Sequence, residues 1–237
     1  MKKIQLVLAA VALILLPSCR FVKVNGTTLV NAREGMKIVK ASDTMAVKDT
    51  VVSPFSSMSC NVACDVVYTP GDCSVKLSGP DNILPLISIV SEGGLLKVRK
   101  EDNVKFNRVE KLTLTISCPQ LESVNFNGAV DFSAPAGIEA PAFSAEVNGA
   151  ADMEIKGLKT GEATLNVNGA ADVEIEGIDC SSLKMEINGA GDIVLSGRAE
   201  KAVASINGAG DIDASRLDCK DFSSRANGLG SIKRPKN

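Results

Sequence analysis

The second half of the chain alternates apolar and polar residues on both sides of a recurring Asn-Gly step. With the Asn as position zero, apolar residues recur at positions −5, −3, −1, +5 and +7, and polar residues lie between them. This is the two-residue period of a β-strand, and it does not fit the 3.6-residue period of a helix. Each repeat is therefore predicted to contain two strands and two corners, with the residues at −1 and +5 buried and those at −2 and +6 exposed. One corner is the Asn-Gly step, where both residues tolerate positive φ, and the other lies near Gly157, Gly177 or Gly197.

The Asn-Gly step returns at a nearly fixed interval. Successive steps are 21, 20, 20, 19 and 20 residues apart, and they begin at Asn127, Asn148, Asn168, Asn188, Asn207 and Asn227. A period of this length indicates stacked repeats, in which each coil pairs with its neighbours and contributes inward side chains to a shared core. The sequence thus predicts an all-β fold, a parallel β-solenoid (β-helix) with coils of about 20 residues. A series of hairpins is the alternative, because Asn-Gly also favours two-residue hairpin turns.

Two polar columns follow from this stacking. The Asn residues at position zero are predicted to hydrogen-bond to one another from coil to coil, inside a corner of the solenoid. A second column at position +4 contains Asp131, Asp152, Asp172, Asp192 and Asp211. We expect each Asp to lie at an exposed corner and to accept backbone N–H groups of its own turn. Two alternatives are calcium bridging at Asp152, Asp172 and Asp192, and an acidic face of a β-helix enzyme acting on polysaccharide. A catalytic site would not repeat on every coil, so no catalytic residue is predicted.

The N-terminus has the pattern of a secretory segment. Lys2 and Lys3 precede an apolar run at 4–16, which is too short to span a bilayer. The ending Leu16-Pro17-Ser18-Cys19 resembles a bacterial lipobox, which implies a lipoprotein signal peptide at 1–18, cleavage before Cys19 and a lipid on its sulfur. Residues 19–46 are predicted to be the lipid anchor and tether, and 47–237 a single solenoid domain. The predicted location is the outer membrane, with a periplasm-facing position favoured because no acidic cluster follows Cys19.

The stretch from about Val51 to Ser117 is strand-like but less regular, and it is predicted to form the first coils or a cap. Its segments Val66-Val67-Tyr68-Thr69-Pro70-Gly71, Gly79-Pro80-Asp81-Asn82-Ile83-Leu84 and Gly94-Leu95-Leu96-Lys97-Val98, together with the repeats, resemble the putative auto-transporter adhesin, head GIN domain family. The resemblance covers roughly 51–232. It implies a right-handed β-solenoid and a cell-envelope location of the kind common in Bacteroidetes lipoproteins, and it implies no reaction.

Composition narrows the function further. The net charge of −2 gives no reason to expect nucleic acid as a partner, and the absence of His removes most hydrolase triads and most zinc sites. Aromatic residues make up only 3% of the chain, so stacking platforms for sugars are not expected. No cofactor or metal is predicted. The sequence favours a binding, adhesion or scaffolding role without catalysis. The partner would be an envelope component, a glycan or a protein, besides the membrane that the lipid anchor contacts, and an oligomer is possible.

Cysteines and the C-terminal tail give two further predictions. Cys180 and Cys219 each lie eight residues before an Asn, with Ala199 between them, so they are predicted to be two coils apart. That separation is about 9.6 Å, too far for a disulfide, and both are predicted to be free and buried. The pairing of Cys60, Cys64, Cys73 and Cys118 stays open. The basic tail Lys233-Arg234-Pro235-Lys236 is predicted to protect the open edge of the last coil.

Overall fold

The computed structural model describes residues 36–107 and 111–236, together with two short strands near the N-terminus, β1 (Val22–Val24) and β2 (Thr27–Leu29), which pair antiparallel. The predicted signal peptide at 1–18 and the predicted lipidation site Cys19 lie outside the described residues. Most of the predicted tether lies outside them as well. The start of the predicted domain at residue 47 falls inside a strand that begins at Met45.

Seventeen further strands and one short 3₁₀ helix, Leu84–Leu86, make up the remainder of the described fold. The strands are β3 (Lys37–Lys40), β4 (Met45–Thr50), β5 (Phe55–Cys60), β6 (Cys64–Pro70), β7 (Ser74–Pro80), β8 (Ile87–Glu92), β9 (Gly94–Lys100), β10 (Val104–Asn107), β11 (Thr113–Cys118), β12 (Ser123–Phe126), β13 (Ala129–Ala134), β14 (Ile138–Val147), β15 (Ala150–Val167), β16 (Ala170–Ile187), β17 (Ile193–Ile206), β18 (Ile212–Ala226) and β19 (Ile232–Lys233). Strands β3 and β10 pair in a separate two-stranded sheet, and the large sheet has 15 strands.

Parallel pairing between consecutive coils confirms the solenoid. β15 pairs with β16 in register along its whole length, so that Asp152 lies opposite Asp172 and Val167 opposite Ile187. β16 pairs with β17, and β17 with β18, in the same parallel sense. The coils stack for about six turns. The hairpin alternative is wrong for the repeats. The strands before and after an Asn-Gly step lie on different faces of the solenoid, and each pairs with the equivalent strand of a neighbouring coil.

Strand β15 shows the shape of one coil. Burial alternates along it but breaks twice, at Lys156-Gly157 and at Gly161-Glu162, where neither of two consecutive residues is buried. With the Asn168-Gly169 step, each coil therefore turns at three corners and has three faces, formed here by residues 150–156, 158–160 and 163–167. The corner at Gly157 has a φ of 109°, as the prediction of a second Gly corner requires. The corner at 161–162 was not predicted.

The inward positions are the predicted ones, but the outward positions are less exposed than alternation suggests. Residues at −1 and +5 are buried in every coil from Phe126 to Ile212. The outward residues at −2, such as Glu146 and Glu186, are only half-exposed. Side chains one rung apart lie about 4.8 Å from one another, so each shields the next. The prediction that −2 is exposed is therefore wrong, and position +6 is exposed in some coils and half-exposed in others.

The irregular N-terminal half supplies both a first coil and a cap. β5 and β6 form the first coil, because Cys60 of β5 is opposite Phe126 and Asp65 of β6 is opposite Asp131, both in parallel register. Beyond this coil, β9 and β11 pair parallel with β5 and β6, and β8 and β7 then pair antiparallel with β9 and β11. The buried side chains of Ile83 and Leu84 lie in the connection between β7 and β8, and that of Ile87 lies at the start of β8. The antiparallel strands stop the parallel stacking at this end.

Glycine in the Asn-Gly step is required by close stacking rather than by positive φ. None of the six Gly residues after the repeat Asn residues has a positive φ, which corrects the sequence-based reason. A Cβ on Gly128 would lie 2.7 Å from the carbonyl oxygen of Val62, and a Cβ on Gly189 would lie 2.7 Å from that of Asn168. The backbone of each corner therefore rests on the backbone of the corner before it, and there is no space for a side chain.

Candidate functional site

Carboxylates line one continuous outer surface of the solenoid. The Asp residues at +4 lie on the first face, are exposed, and stack in register from Asp131 to Asp152 to Asp172. The column begins one coil earlier than predicted, because Asp65 is opposite Asp131. We call this surface the acidic face and define it by Asp65, Asp131, Asp152, Asp172, Asp192, Glu154 and Glu174. These side chains line an open trough of about 640 Å³.

The Asp side chains of the last coils hold the backbone of the following coil. Asp172 accepts the N–H of Asp192 at 3.2 Å, and Asp192 accepts the N–H of Asp211 at 2.8 Å. Asp211 accepts both the N–H and the hydroxyl of Ser231, and these bonds lower the pKa of its carboxyl. The prediction of exposed Asp residues is confirmed for the described column. The predicted bond to the residue's own turn is wrong, since the donor belongs to the next coil.

Repeated charge of one sign distinguishes the acidic face from the second face. On the second face, the outward column is Glu139, Lys159, Asp179, Arg198 and Asp218, which alternates in sign. Lys159 contacts Glu139 at 2.9 Å and Arg198 contacts Asp179 at 3.4 Å. In the described part of the chain, none of the Asp side chains of the acidic face makes an ion pair. Neighbouring carboxylates about 5 Å apart repel by about 0.8 kcal/mol in water, so the column is tolerable only while it stays solvated or bound to cations.

Cations that lie near the acidic face are at its margin. Lys156 lies between Glu154 at 2.8 Å and Glu176 at 3.0 Å, and these two carboxylates raise the pKa of its amino group. Arg216 reaches Glu174 at 4.0 Å. These pairs partly neutralise the Glu residues and leave the Asp column without a fixed counter-charge.

An unbroken ladder of Asn side chains runs beside the acidic face. Each Asn Nδ2 donates to the Oδ1 of the Asn one coil before it, at distances between 2.9 and 3.2 Å. The ladder starts at Asn61, which was not predicted because Val62 replaces the Gly of the motif. The Asn side chains are exposed, so the expected interior position is wrong although the hydrogen bonds are as predicted.

Side chains of the last described coil and of the C-terminal tail bind the end of the solenoid. Arg225 Nε donates to Asn227 Oδ1 at 2.9 Å, which satisfies the last free acceptor of the Asn ladder. Lys233 contacts Asp213 at 3.0 Å, and Ser215 with Lys233 lowers the pKa of that carboxyl to about 2. Arg234 donates to Ser224, which occupies a core position of the preceding coils, at 2.9 Å. Side chains of the tail therefore reach the last coil at two points.

Metal and thiol chemistry is limited in the described residues. Among them, no group of three or more Cys, Asp or Glu side chains is arranged to hold a metal ion, and calcium at Asp152, Asp172 and Asp192 stays a prediction. Cys180, Ala199 and Cys219 lie on three successive coils, as predicted, and both thiols are free. Cys180 is buried, and burial raises the pKa of its thiol to about 11, whereas Cys219 is only half-buried.

Comparison with known proteins agrees with this geometry. A family model described as "Putative auto-transporter adhesin, head GIN domain" matches residues 54–234. The chain belongs to this family. The resemblance inferred from the sequence is thereby confirmed, and it extends over the first coil and the cap as well as the repeats. No curated protein sequence matches the chain.

Three solved structures with the same fold come from Bacteroides and Parabacteroides species. A putative adhesin from Bacteroides fragilis is 20% identical, covers 83% of this chain and 99% of its own, and has a TM-score of 0.70. A putative adhesin from Parabacteroides distasonis is 20% identical, with 83% and 84% covered and a TM-score of 0.74. A putative lipid binding protein from the same species is 14% identical, with 85% and 98% covered and a TM-score of 0.70. At these identities the likeness establishes the fold.

Within the described ranges 36–107 and 111–236, no helix is long and apolar enough to cross a bilayer.

Proposed function

We propose that this protein is a lipid-anchored binding module of the cell envelope, and that its acidic face binds a Lys- and Arg-rich segment of a partner protein. The observation that carries the proposal is the contrast between two outward columns of one solenoid. The second face pairs its charges coil by coil, whereas the Asp column of the acidic face repeats carboxylates that make no ion pair among the described residues. Repulsion along this column is relieved when cations of a partner bind, so the surface favours an extended basic ligand.

Family membership and the form of the site support a binding role over catalysis. The family is described as an adhesin, and binding by an extended repeat surface is typical of solenoids. The acidic face presents the same side chain on successive coils, and it does not bring an unlike acid and base together on one substrate atom. No catalytic residue is therefore assigned.

The envelope location is part of the proposal. It is supported by the N-terminal pattern that ends at Cys19 and by the adhesin family. The lipid would attach to the Cys19 sulfur and hold the module at the outer membrane, where the periplasmic side is favoured. A Cys19→Ser variant should lose incorporation of a labelled fatty acid and move from the membrane fraction to the soluble fraction.

A pair of matched variants tests the acidic face. The first replaces Asp152, Asp172 and Asp192 with Asn, and the second replaces three carboxylates of the second face, Glu139→Gln, Asp179→Asn and Asp218→Asn. Both remove the same negative charge from the whole chain. A fluorescent oligolysine peptide, followed by anisotropy, should lose about tenfold in affinity for the first variant, equal to about 1.4 kcal/mol, and less than about twofold for the second. Equal losses would show binding to net charge alone and would overturn the assignment.

A further inference from the structure

Two thiols meet at the first corner of the solenoid. Cys60 is the last residue of β5 and Cys64 is the first residue of β6, and both side chains are buried at the corner between them. Their Sγ atoms are 3.7 Å apart. Cys60 also lies 3.5 Å from the carbonyl oxygen of Val62, within the same corner. The two sulfur atoms are thus in van der Waals contact inside a single turn of the chain.

Other coils place simple apolar side chains at these two positions. Register pairing puts Cys60 at position −1 and Cys64 at position +3, where the later coils have Val147 with Ala151, and Val167 with Ala171. A space-filling role alone would be met by such residues. A second pair, Cys180 and Cys219, is separated by the whole intervening coil.

The hydrogen bond between the thiols makes them unequal. It lowers the pKa of Cys60 and, together with burial, raises the pKa of Cys64. Cys60 is therefore the thiol that ionises first. Exchange with a disulfide requires a thiolate, so Cys60 reacts first when the corner forms while the folding chain is still accessible.

We propose that Cys60 and Cys64 form a disulfide that closes the first corner, by exchange with a small-molecule or protein disulfide. The Cys60 thiolate attacks one sulfur of the donor and displaces a donor thiolate, which leaves a mixed disulfide. The Cys64 thiolate then attacks the Cys60 sulfur and displaces the second donor thiolate. The chain loses two electrons and two thiol protons, and the donor is reduced to two thiols. The sulfur atoms must approach from 3.7 Å to about 2.05 Å for the bond to form.

Burial and location determine when the bond forms. Cys60 is completely buried and Cys64 is 8% exposed, so exchange belongs to the folding chain and the finished bond is shielded from reductants. Persistence of the bond in the cell rests on the proposed envelope location, where disulfides are stable. The bond would fix the coil on which the repeats stack, next to the antiparallel cap.

Peptide mapping of the full chain tests the pairing. The reduced, unfolded chain is refolded in a buffer of oxidised and reduced glutathione, alkylated, and digested with trypsin and then chymotrypsin. Cleavage after Tyr68 separates the pair from Cys73. The expected fragment holds Cys60 and Cys64 unalkylated and is lighter than the reduced fragment by two hydrogen atoms. A variant with Cys73→Ala and Cys118→Ala should give the same fragment.

A thermal measurement adds an independent readout. Reductant should lower the melting temperature of the refolded parent by about 5 °C and leave that of Cys60→Ala/Cys64→Ala unchanged. Alkylation of both Cys60 and Cys64 after refolding, or a bond from either to Cys73 or Cys118, would overturn the proposal. If the refolded chain carries the bond while thiol trapping in cells finds it reduced, the pairing stands and the envelope location fails.

Discussion

The close stacking of the Asn-Gly corners predicts that Gly189→Ala is strongly destabilising. The added Cβ would overlap the carbonyl of Gly169 and lie 2.7 Å from the carbonyl oxygen of Asn168, so the two corners must separate. Separation weakens the bonds from Gly189 N to Val167 O (3.1 Å) and from Ala190 N to Gly169 O (2.8 Å). Two such bonds contribute about 2 kcal/mol, and overpacking costs about 1 to 2 kcal/mol more.

The reduced conformational entropy of the unfolded chain opposes this loss, and a second Gly→Ala variant serves as a control for that effect. Ala restricts the unfolded chain, which stabilises the folded state by about 0.4 to 1 kcal/mol. The free energy of unfolding should therefore fall by about 2 to 3 kcal/mol, and the melting temperature by about 8 °C. Gly161→Ala is the control, because its Cβ would meet a single carbonyl oxygen, that of Pro141, at 3.0 Å. Circular dichroism during heating measures both. If Gly189→Ala melts within about 2 °C of the parent, the corner backbones are not in contact and the stacking argument is wrong.

Three further predictions concern the core, acid stability and the open end. Ile187→Asp places an unpaired charge in the core and should abolish the cooperative melting transition. Val203→Asp changes an outward position and should keep the transition. If the two variants melt at the same temperature, the inward assignment of Ile187 is wrong. The carboxyl of Asp213 has a folded pKa of about 2, below its unfolded value, so its stabilisation of about 1 kcal/mol is present above about pH 4 and is lost as the pH falls toward 2. Urea titrations should show that the parent and Asp213→Asn differ less in free energy of unfolding as the pH falls over that range. A constant difference would contradict the stabilising role of the Asp213 carboxylate. Replacing Lys233 and Arg234 with Val should promote end-to-end association without changing the β content, and light scattering that finds only monomer would remove this role from the tail.

Much of the coil could be read from residues that repeat at a fixed interval. Core positions such as Ile187 and the separation of Cys180 from Cys219 depend only on spacing, and both were predicted. The third corner was missed because its signal, two adjacent polar residues such as Ser181-Ser182, resembles an ordinary break in alternation. The stretch from about Val51 was predicted to form the first coils or a cap, but Asn61 was not aligned with the repeats because 66 residues separate it from Asn127.

Interactions between coils were harder to predict than the coils themselves. The need for Gly after Asn comes from the backbone of the preceding corner, which cannot be seen within one repeat. The carboxylate of Asp192 bonds to the next coil for the same reason. The pairing of Lys159 with Glu139 is visible in the sequence once the coils are aligned, and only this alignment reveals how different the acidic face is.

Carboxylate labelling of the protein in the presence of an oligoarginine peptide with an acetylated N-terminus and an amidated C-terminus tests the acidic face most directly. A carbodiimide with an amine nucleophile modifies exposed Asp and Glu side chains, and peptide mass spectrometry reports each position. Bound oligoarginine should protect Asp152, Asp172 and Asp192 from modification and leave Glu139 and Asp179 on the second face unprotected. Equal protection of both faces, or labelling of the Asp column that bound peptide does not change, would contradict the assignment of this surface as the binding site.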